Sequence, residues 1–244
     1  TVKGDLGQSA AGKTDKNGEL TVPEVEQTER HGVYIVGYTD GTFGPSRSMT
    51  RSEAAAIFAR LLAEKNGDTI STAANTKFAD IPAHAWYSGY VKYLSNNGIT
   101  YGKSKTIFAP NDAITRAEFT TMAVRFFDVY GDGDAEIMEQ FSGFNDVSSG
   151  YWAAEYIKYA ALHGWINGYG DGSFHADREI NRAEVVTIVN RLLGREADED
   201  YIADNLRKLN TFPDVTKRHW AYYAVMEAAN AHTAVLGESE SWSK

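Results

Sequence analysis

Cysteine is absent from the 244 residues. That excludes a disulfide framework and any thiolate metal site, and it fits an exported protein better than a cytosolic one. Positive charge is scarce: 24 Lys and Arg face 33 Asp and Glu, for a net charge of −9. Such a balance argues against a broad nucleic-acid surface, so an anion bound here must be held by a local arrangement. No apolar run approaches the roughly 20 residues of a membrane span, and no signal peptide is visible. No serine-nucleophile motif, phosphate-cradling glycine loop or distinctive carboxylate pair for glycoside hydrolysis is present. The six histidines form no H-E-x-x-H pair, and "YGDGSF" lacks the spaced carboxylates of a calcium loop. No catalytic residue, cofactor or metal site is therefore expected.

What the chain does have is 43% hydrophobic residues, enough for one large core or several small ones, and it repeats them. "SMTRSEA", "AITRAEF" and "EINRAEV" place an arginine at positions 51, 116 and 182, at near-equal intervals. Behind each arginine the apolar residues recur with helical spacing. They are Ala54, Ile57, Phe58, Leu61 and Leu62, then Phe119, Met122, Ala123, Phe126 and Phe127, then Val185, Ile188, Val189, Leu192 and Leu193. Each set is the buried stripe of an amphipathic helix. A second block begins "FADI" at Phe78, "FNDV" at Phe144 and "FPDV" at Phe212, and predicts a shorter helix. Its stripes are Trp86, Tyr90, Val91, Leu94; Trp152, Tyr156, Ile157, Ala160; and Trp220, Ala224, Val225, Ala228. Gly98 and Gly164 suit left-handed helix ends, whereas the third copy has His232 there. Between the helices run tight loops, "VGYTDGTFGP" and "NGYGDGSFHA", with the Asp-Gly of a turn that needs positive φ. The middle loop, "YGKSKTIFAP", lacks that pair and predicts a different turn.

The chain opens with a loop-and-second-helix half and closes with a first-helix half. Closure of the last half onto the first would give three complete units in circular order, since chain ends often lie close together. The alternative is two whole units with two loose fragments, which would leave apolar stripes exposed. The expected organisation is a linker or the end of a preceding domain at 1–30 and a split unit at 31–66 plus 211–236. Units at 77–130 and 143–195 follow, with a connector at 196–210. "LTVPEV" at 20–25 could add a short strand, and "YGDGDAE" and "GREADEDY" read as polar connectors.

Thr50 with Glu53, Thr115 with Glu118 and Asn181 with Glu184 fit capping boxes. The arginine just inside each helix opposes the macrodipole, so a compensating role is needed. Either Arg51, Arg116 and Arg182 pair with carboxylates inside the fold, with Asp80, Asp146 and Asp214 as partners, or they complete anion sites with the free amides of the helix start. The F-x-D turns are read as leading into the first helix, with the Asp as a local acceptor. Trp86, Trp152 and Trp220 are read as core, with platforms beside a sugar as the alternative.

Taken together, "F-x-D-V…W-A…G-W-I-N-G-Y-G-D-G-S-F…I-N-R-A-E" resembles the S-layer homology domain of bacterial cell-surface proteins, over nearly all of 33–232. The resemblance implies an all-α, mainly helical fold: a pseudo-threefold assembly of three helix-loop-helix units around a central bundle, closed by pairing of the two chain ends. It implies a non-catalytic, extracellular module of a larger surface protein. That module would be monomeric, without nucleic-acid partner or membrane insertion, and would bind a cell-wall polysaccharide bearing anionic, pyruvylated sugars. An alternative is a protein–protein assembly module of a surface lattice. By the same resemblance Arg51, Arg116 and Arg182, with the loop glycines Gly37, Gly102 and Gly168, line ligand-binding grooves between units. Trp86, Trp152, Trp220, Asp80, Asp146 and Asp214 are secondary ligand-binding candidates. The groove using Gly102 is expected to be weakened by its divergent loop.

Overall fold

Three helices begin on complete capping boxes, and these starts organise the molecule. In each, the side chain of Thr50, Thr115 or Asn181 accepts from the amide of Glu53, Glu118 or Glu184, whose carboxylate returns to the cap amide. The computed structural model describes residues 13–14, 20–21, 27–131, 141–236 and 240–243. Along the chain come strands β1 (Lys13–Thr14), β2 (Leu20–Thr21) and β3 (Gln27–His31). Helices α1 (Arg51–Asn66), α2 (Ser88–Asn96), α3 (Arg116–Tyr130), α4 (Ala154–Leu162), α5 (Arg182–Leu193), α6 (Glu199–Asn205) and α7 (Tyr222–Ala229) follow, then β4 (His232–Leu236) and β5 (Ser241–Ser243). The fold is mainly helical. β1 and β2 form a small hairpin, and β3, β4 and β5 an antiparallel sheet in that order.

The three capping segments interlock around a pseudo-threefold axis. Met49 N–H donates to Ile180 O (2.9 Å), Ile180 N–H to Ile114 O (3.1 Å) and Ile114 N–H to Met49 O (2.9 Å). Three backbone bonds thus close a ring, each segment satisfying the next. The long helices descend from this ring, with α1 touching α3 and α3 touching α5. Their stripes form the core: Phe58 packs on Phe119 and Phe126 at ring separations of 5.3 and 4.9 Å. The short helices fill the outside, α2 on α1, α4 on α3 and α7 on α5. Gly98 and Gly164 take left-handed φ of 74° and 69° at the ends of α2 and α4. At the equivalent place α7 instead runs into β4.

The ends of the fold meet. The F-x-D carboxylates each clamp a loop: Asp80 accepts from the amides of Phe108 and Ala109, Asp146 from Phe174 and His175, and Asp214 from Phe43 and Gly44, at 2.6–3.2 Å. The last of these joins residues far apart in sequence in the same geometry the other two use within one unit. Tyr34 N–H also donates to Ala228 O, and β3 pairs with β4 from Gln27↔Leu236 to His31↔His232. The aspartates are therefore acceptors as expected, but for the loop across the unit rather than for their own turn, and they are not arginine partners.

Other expectations also need correction. Residues 27–30, read as linker, belong to β3, and 199–205 within the 196–210 connector is helical. Leu20–Thr21 is a strand, inside the stretch where one was expected. Most of 1–30, and most of the connector beginning at Tyr130, lie outside the described residues. The tryptophans precede their helices by two residues and are exposed: Trp86 54%, Trp152 57%, Trp220 65%. The stripe of α7 is carried by Val225, Met226 and Ala228, packed against α5 rather than against α1.

Asp214→Asn tests the clamp at the junction of the ends. Burial would raise the Asp214 pKa, but the amides of Phe43 and Gly44 outweigh it and hold the carboxyl below its ordinary value. A carboxylate depressed in the fold stabilises above its unfolded pKa of about 3.9, and that stabilisation is lost as pH falls through the folded value. The variant keeps one acceptor oxygen, and since the carboxylate is solvent-exposed and screened it should cost about 0.5–1.5 kcal/mol at neutral pH. Urea unfolding at descending pH should show the difference from wild type shrinking below pH ~4; a constant difference would discount the charge.

Candidate functional site

Three grooves repeat around the axis, each built from three places in the chain. The first is lined by Gly37 and Tyr38, by Arg182 of α5 and by Trp86. The second is lined by Gly102, Arg51 of α1 and Trp152, and the third by Gly168, Arg116 of α3 and Trp220. Every groove thus takes its loop from one unit, its arginine from the preceding long helix and its tryptophan from the following short-helix block. All three arginines, all three loop glycines and all three tryptophans named from the sequence are brought together in this way.

The glycines have a packing reason. A Cβ on Gly37, Gly102 or Gly168 would come within 2.5 Å of the ring of Phe212, Phe78 or Phe144. The F-x-D phenylalanine packs against the loop there, and a side chain would push it away.

The arginines are buried, at 4%, 5% and 4% exposure for Arg51, Arg116 and Arg182. Each Nε donates to the carbonyl of the loop phenylalanine: Arg51 to Phe108 (2.7 Å), Arg116 to Phe174 (2.8 Å), Arg182 to Phe43 (2.8 Å). Nη1 of Arg51 and Arg116 pairs with the capping-box glutamate of the next long helix, Glu118 (3.2 Å) and Glu184 (3.1 Å). Arg182 differs: among the described residues no carboxylate lies within ion-pair distance of it. Its Nη2 donates to Val36 O (2.7 Å), and the Tyr38 ring lies 4.7 Å from its Cζ. Burial pushes the pKa of Arg116 and Arg182 down, with Tyr169 and Tyr38 respectively opposing the shift.

The amides at the helix starts, expected to be open to an anion, are taken. Arg51 and Ser52 donate to Asp112 O and Pro110 O, Arg116 and Ala117 to Arg178 O and Ala176 O, Arg182 and Ala183 to Arg47 O and Pro45 O. The third amide of each helix goes to its cap. The compensation for a cation in the first turn is therefore a carbonyl-rich neighbouring loop and a glutamate, both inside the fold. Side chains alone are left to meet a ligand.

Sequence reasoning passed over a second arginine per groove: Arg60, Arg125 and Arg191, at the same offset after each motif arginine. Arg60 Cζ lies 5.1 Å from the Tyr90 ring, and Arg125 donates to Tyr156 Oη (3.1 Å). The constant offset was the available signal; arginines on a helix surface are so often merely solvated that it carried little weight.

The grooves differ in size. The first and third enclose about 230 and 280 Å³, the second about 90 Å³. Its loop turns differently, with Ser104 and Lys103 both donating to Ile107 O and Gly102 itself at φ 81°. Arg125 also lies over the Tyr101 ring at 4.7 Å.

The S-layer homology domain family model matches residues 21–55, 77–120 and 143–186. The match omits 212–232, the stretch that the geometry places in the completing half. Among curated proteins, the chain is 34% identical over 218 residues to Cell surface glycoprotein 1 of Acetivibrio thermocellus, covering 86% of this chain and 9% of that protein. It is 30% identical over 233 residues to the Cellulosome-anchoring protein of the same organism, covering 95% of this chain and 49% of that one. It is 32% identical over 163 residues to the Surface-layer 125 kDa protein of Lysinibacillus sphaericus, covering 65% of this chain and 13% of that protein. The chain thus spans half or less of the length of each of these relatives.

Proposed function

The chain belongs to the S-layer homology domain family, and from that premise we propose that it fixes a larger bacterial surface protein to the cell wall by binding an anionic wall polysaccharide in its inter-unit grooves. It is a cell-surface anchoring module, without catalysis of its own. The groove glutamates are engaged, Glu53 with Thr50, Glu118 with Thr115 and Arg51, Glu184 with Asn181 and Arg116, which leaves no free acid–base pair there.

One observation carries the reading: an exposed tryptophan and two arginines line each of three equivalent grooves. An aromatic face suits the C–H face of a sugar, and a guanidinium fork suits a carboxylate such as a pyruvyl ketal presents. Three such sites on one polymer add avidity. Each groove carries one capping-box glutamate, Glu53, Glu118 or Glu184. The first is the best anion site, since among the described residues no carboxylate lies within ion-pair distance of Arg182, whereas Glu184 pairs with Arg116 in the third and the second is contracted.

Because the tryptophans are exposed, they separate binding from folding. Trp86→Ala, Trp152→Ala and Trp220→Ala combined should leave stability within about 0.5 kcal/mol per site. Each should remove about 1–2 kcal/mol of binding, so cosedimentation with purified walls should weaken by about a hundredfold or more. Walls stripped of their acidic substituent should bind wild type at least about tenfold more weakly, as loss of a charged hydrogen bond requires. Equal binding to stripped walls, or to walls without the polymer, would favour a protein–protein lattice contact instead.

A further inference from the structure

Where the chain enters and leaves the trefoil, four ligating side chains converge out of solvent. His31 ends β3, His232 begins β4, Glu227 lies on α7 and Glu240 precedes β5. Their side chains are 3%, 3%, 0% and 4% exposed. His31 Nδ1 lies 3.1 Å from His232 Nε2, 3.2 Å from Glu227 Oε1 and 3.3 Å from Glu240 Oε1. His232 Nε2 lies 3.3 Å from Glu227 Oε2 and 3.2 Å from Glu240 Oε1. All four groups offer ligand atoms within 4.8 Å of one another. From this juxtaposition of two imidazoles and two carboxylates we infer a structural site for one tetrahedral divalent cation, zinc first, that ties the two ends of the module together.

The separations are those of a coordination shell. A four-coordinate zinc with bonds of about 2.0–2.1 Å sets its ligand atoms about 3.3–3.4 Å apart, and with either Glu227 oxygen taken as the ligand atom, four of the six edges here measure 3.1–3.3 Å. Hydrogen bonding alone does not account for the cluster. Both oxygens of the fully buried Glu227 lack a hydrogen bond of acceptable geometry, although ring nitrogens stand close to each. Two ring nitrogens 3.1 Å apart cannot both carry protons toward each other. A divalent cation satisfies both carboxylates and both lone pairs and brings the site to neutrality, where two buried carboxylates would otherwise be costly.

The surroundings orient the ligands as metal sites require. His232 Nδ1–H donates to Asn230 O (2.9 Å), a tautomer that leaves Nε2 free to ligate. The Trp242 ring stacks on His232 at 3.8 Å, and its Nε1–H donates to Glu240 Oε1 (3.0 Å). Four protein ligands and deep burial leave no open position, so the site is structural rather than catalytic. A set of N and O ligands with tetrahedral spacing favours zinc over magnesium or calcium, which prefer six or more oxygens.

The test uses the full chain, stripped with chelator and titrated with Zn²⁺ alone against a chromophoric competitor. One equivalent should bind with Kd at or below about 0.1 µM. At a hundredfold excess over Kd the melting temperature should rise by about 5–10 °C. Co²⁺ should give the intense visible bands of a four-coordinate ion, and Mg²⁺ should neither bind nor displace zinc. Glu227→Gln and His232→Ala should abolish uptake. Because these buried variants can fail to fold, the Co²⁺ spectrum of the wild-type chain decides independently. Absence of uptake at free zinc of about 10 µM, a six-coordinate Co²⁺ spectrum, or undiminished binding by folded variants would each overturn the site, leaving a metal-free His–Glu network.

Discussion

Replacing Arg51, Arg116 and Arg182 together by alanine is expected to unfold the module, not merely to release it from its ligand. Arginines at exposed helix starts would tolerate alanine; these do not occupy such places. Each guanidinium is buried and bonded to the carbonyl of a loop phenylalanine. Two of them also neutralise Glu118 and Glu184. Truncation leaves a buried carbonyl, and at two sites a carboxylate, without its partner. Breaking a buried ion pair costs about 3–5 kcal/mol, and an orphaned buried acceptor about 1–3. Three such losses reach the 5–15 kcal/mol that holds a typical domain together. Urea unfolding of the single variants should show Arg116→Ala more damaging than Arg182→Ala, whose arginine has no carboxylate within ion-pair distance among the described residues. Arg116→Lys keeps the charge but loses the fork, and should fall between Arg116→Ala and wild type. A triple variant that melts within a few degrees of wild type would show that these side chains serve the ligand and not the fold.

The partners of these arginines mark the boundary of what the sequence discloses. Stripes, caps and glycine helix ends were legible because each is a local pattern with a fixed period or offset, and all three capping boxes form as spelled. The circular order was legible from the surplus of a half unit at each end. The partners of the arginines were not. A capping glutamate and its own helix are adjacent in sequence, yet Glu118 answers Arg51 from the neighbouring unit. The same rotation by one unit hid the first-turn amides, which are consumed by carbonyls of another loop. The tryptophans fit the helical period, and only the late start of the short helices turned them outward. His31, Glu227, His232 and Glu240 have no shared local spacing at all; β3–β4 pairing alone brings the two histidines into contact.

Deleting everything from Thr211 onward should destabilise the first loop and α5 far more than α1. The deletion removes Phe212, which packs on Phe43 at 5.3 Å and closes over Gly37. It removes the Asp214 clamp on Phe43 and Gly44, and the acceptor for Tyr34 N–H. It also strips from α5 the buried face of α7, where Val225, Met226, Ala228 and Ala229 are at most 2% exposed. Fully burying a valine or methionine side chain contributes about 1.5–3 kcal/mol, so the lost area alone rivals the stability of an ordinary domain. Helix α1, by contrast, keeps α2 and α3 as partners. Hydrogen exchange on the truncated chain is therefore expected to show amides of 34–45 and of α5 exchanging near unfolded rates, while α1 is the most protected segment that remains. The first and third grooves should be lost with them, since one is built on Gly37 and the other on Trp220, and wall binding should fall to what the contracted second groove can supply. Full protection of residues 34–45 in the truncated chain would mean that the two ends are neighbours without being coupled, and that the ring around Met49, Ile114 and Ile180 holds three units together without the last half.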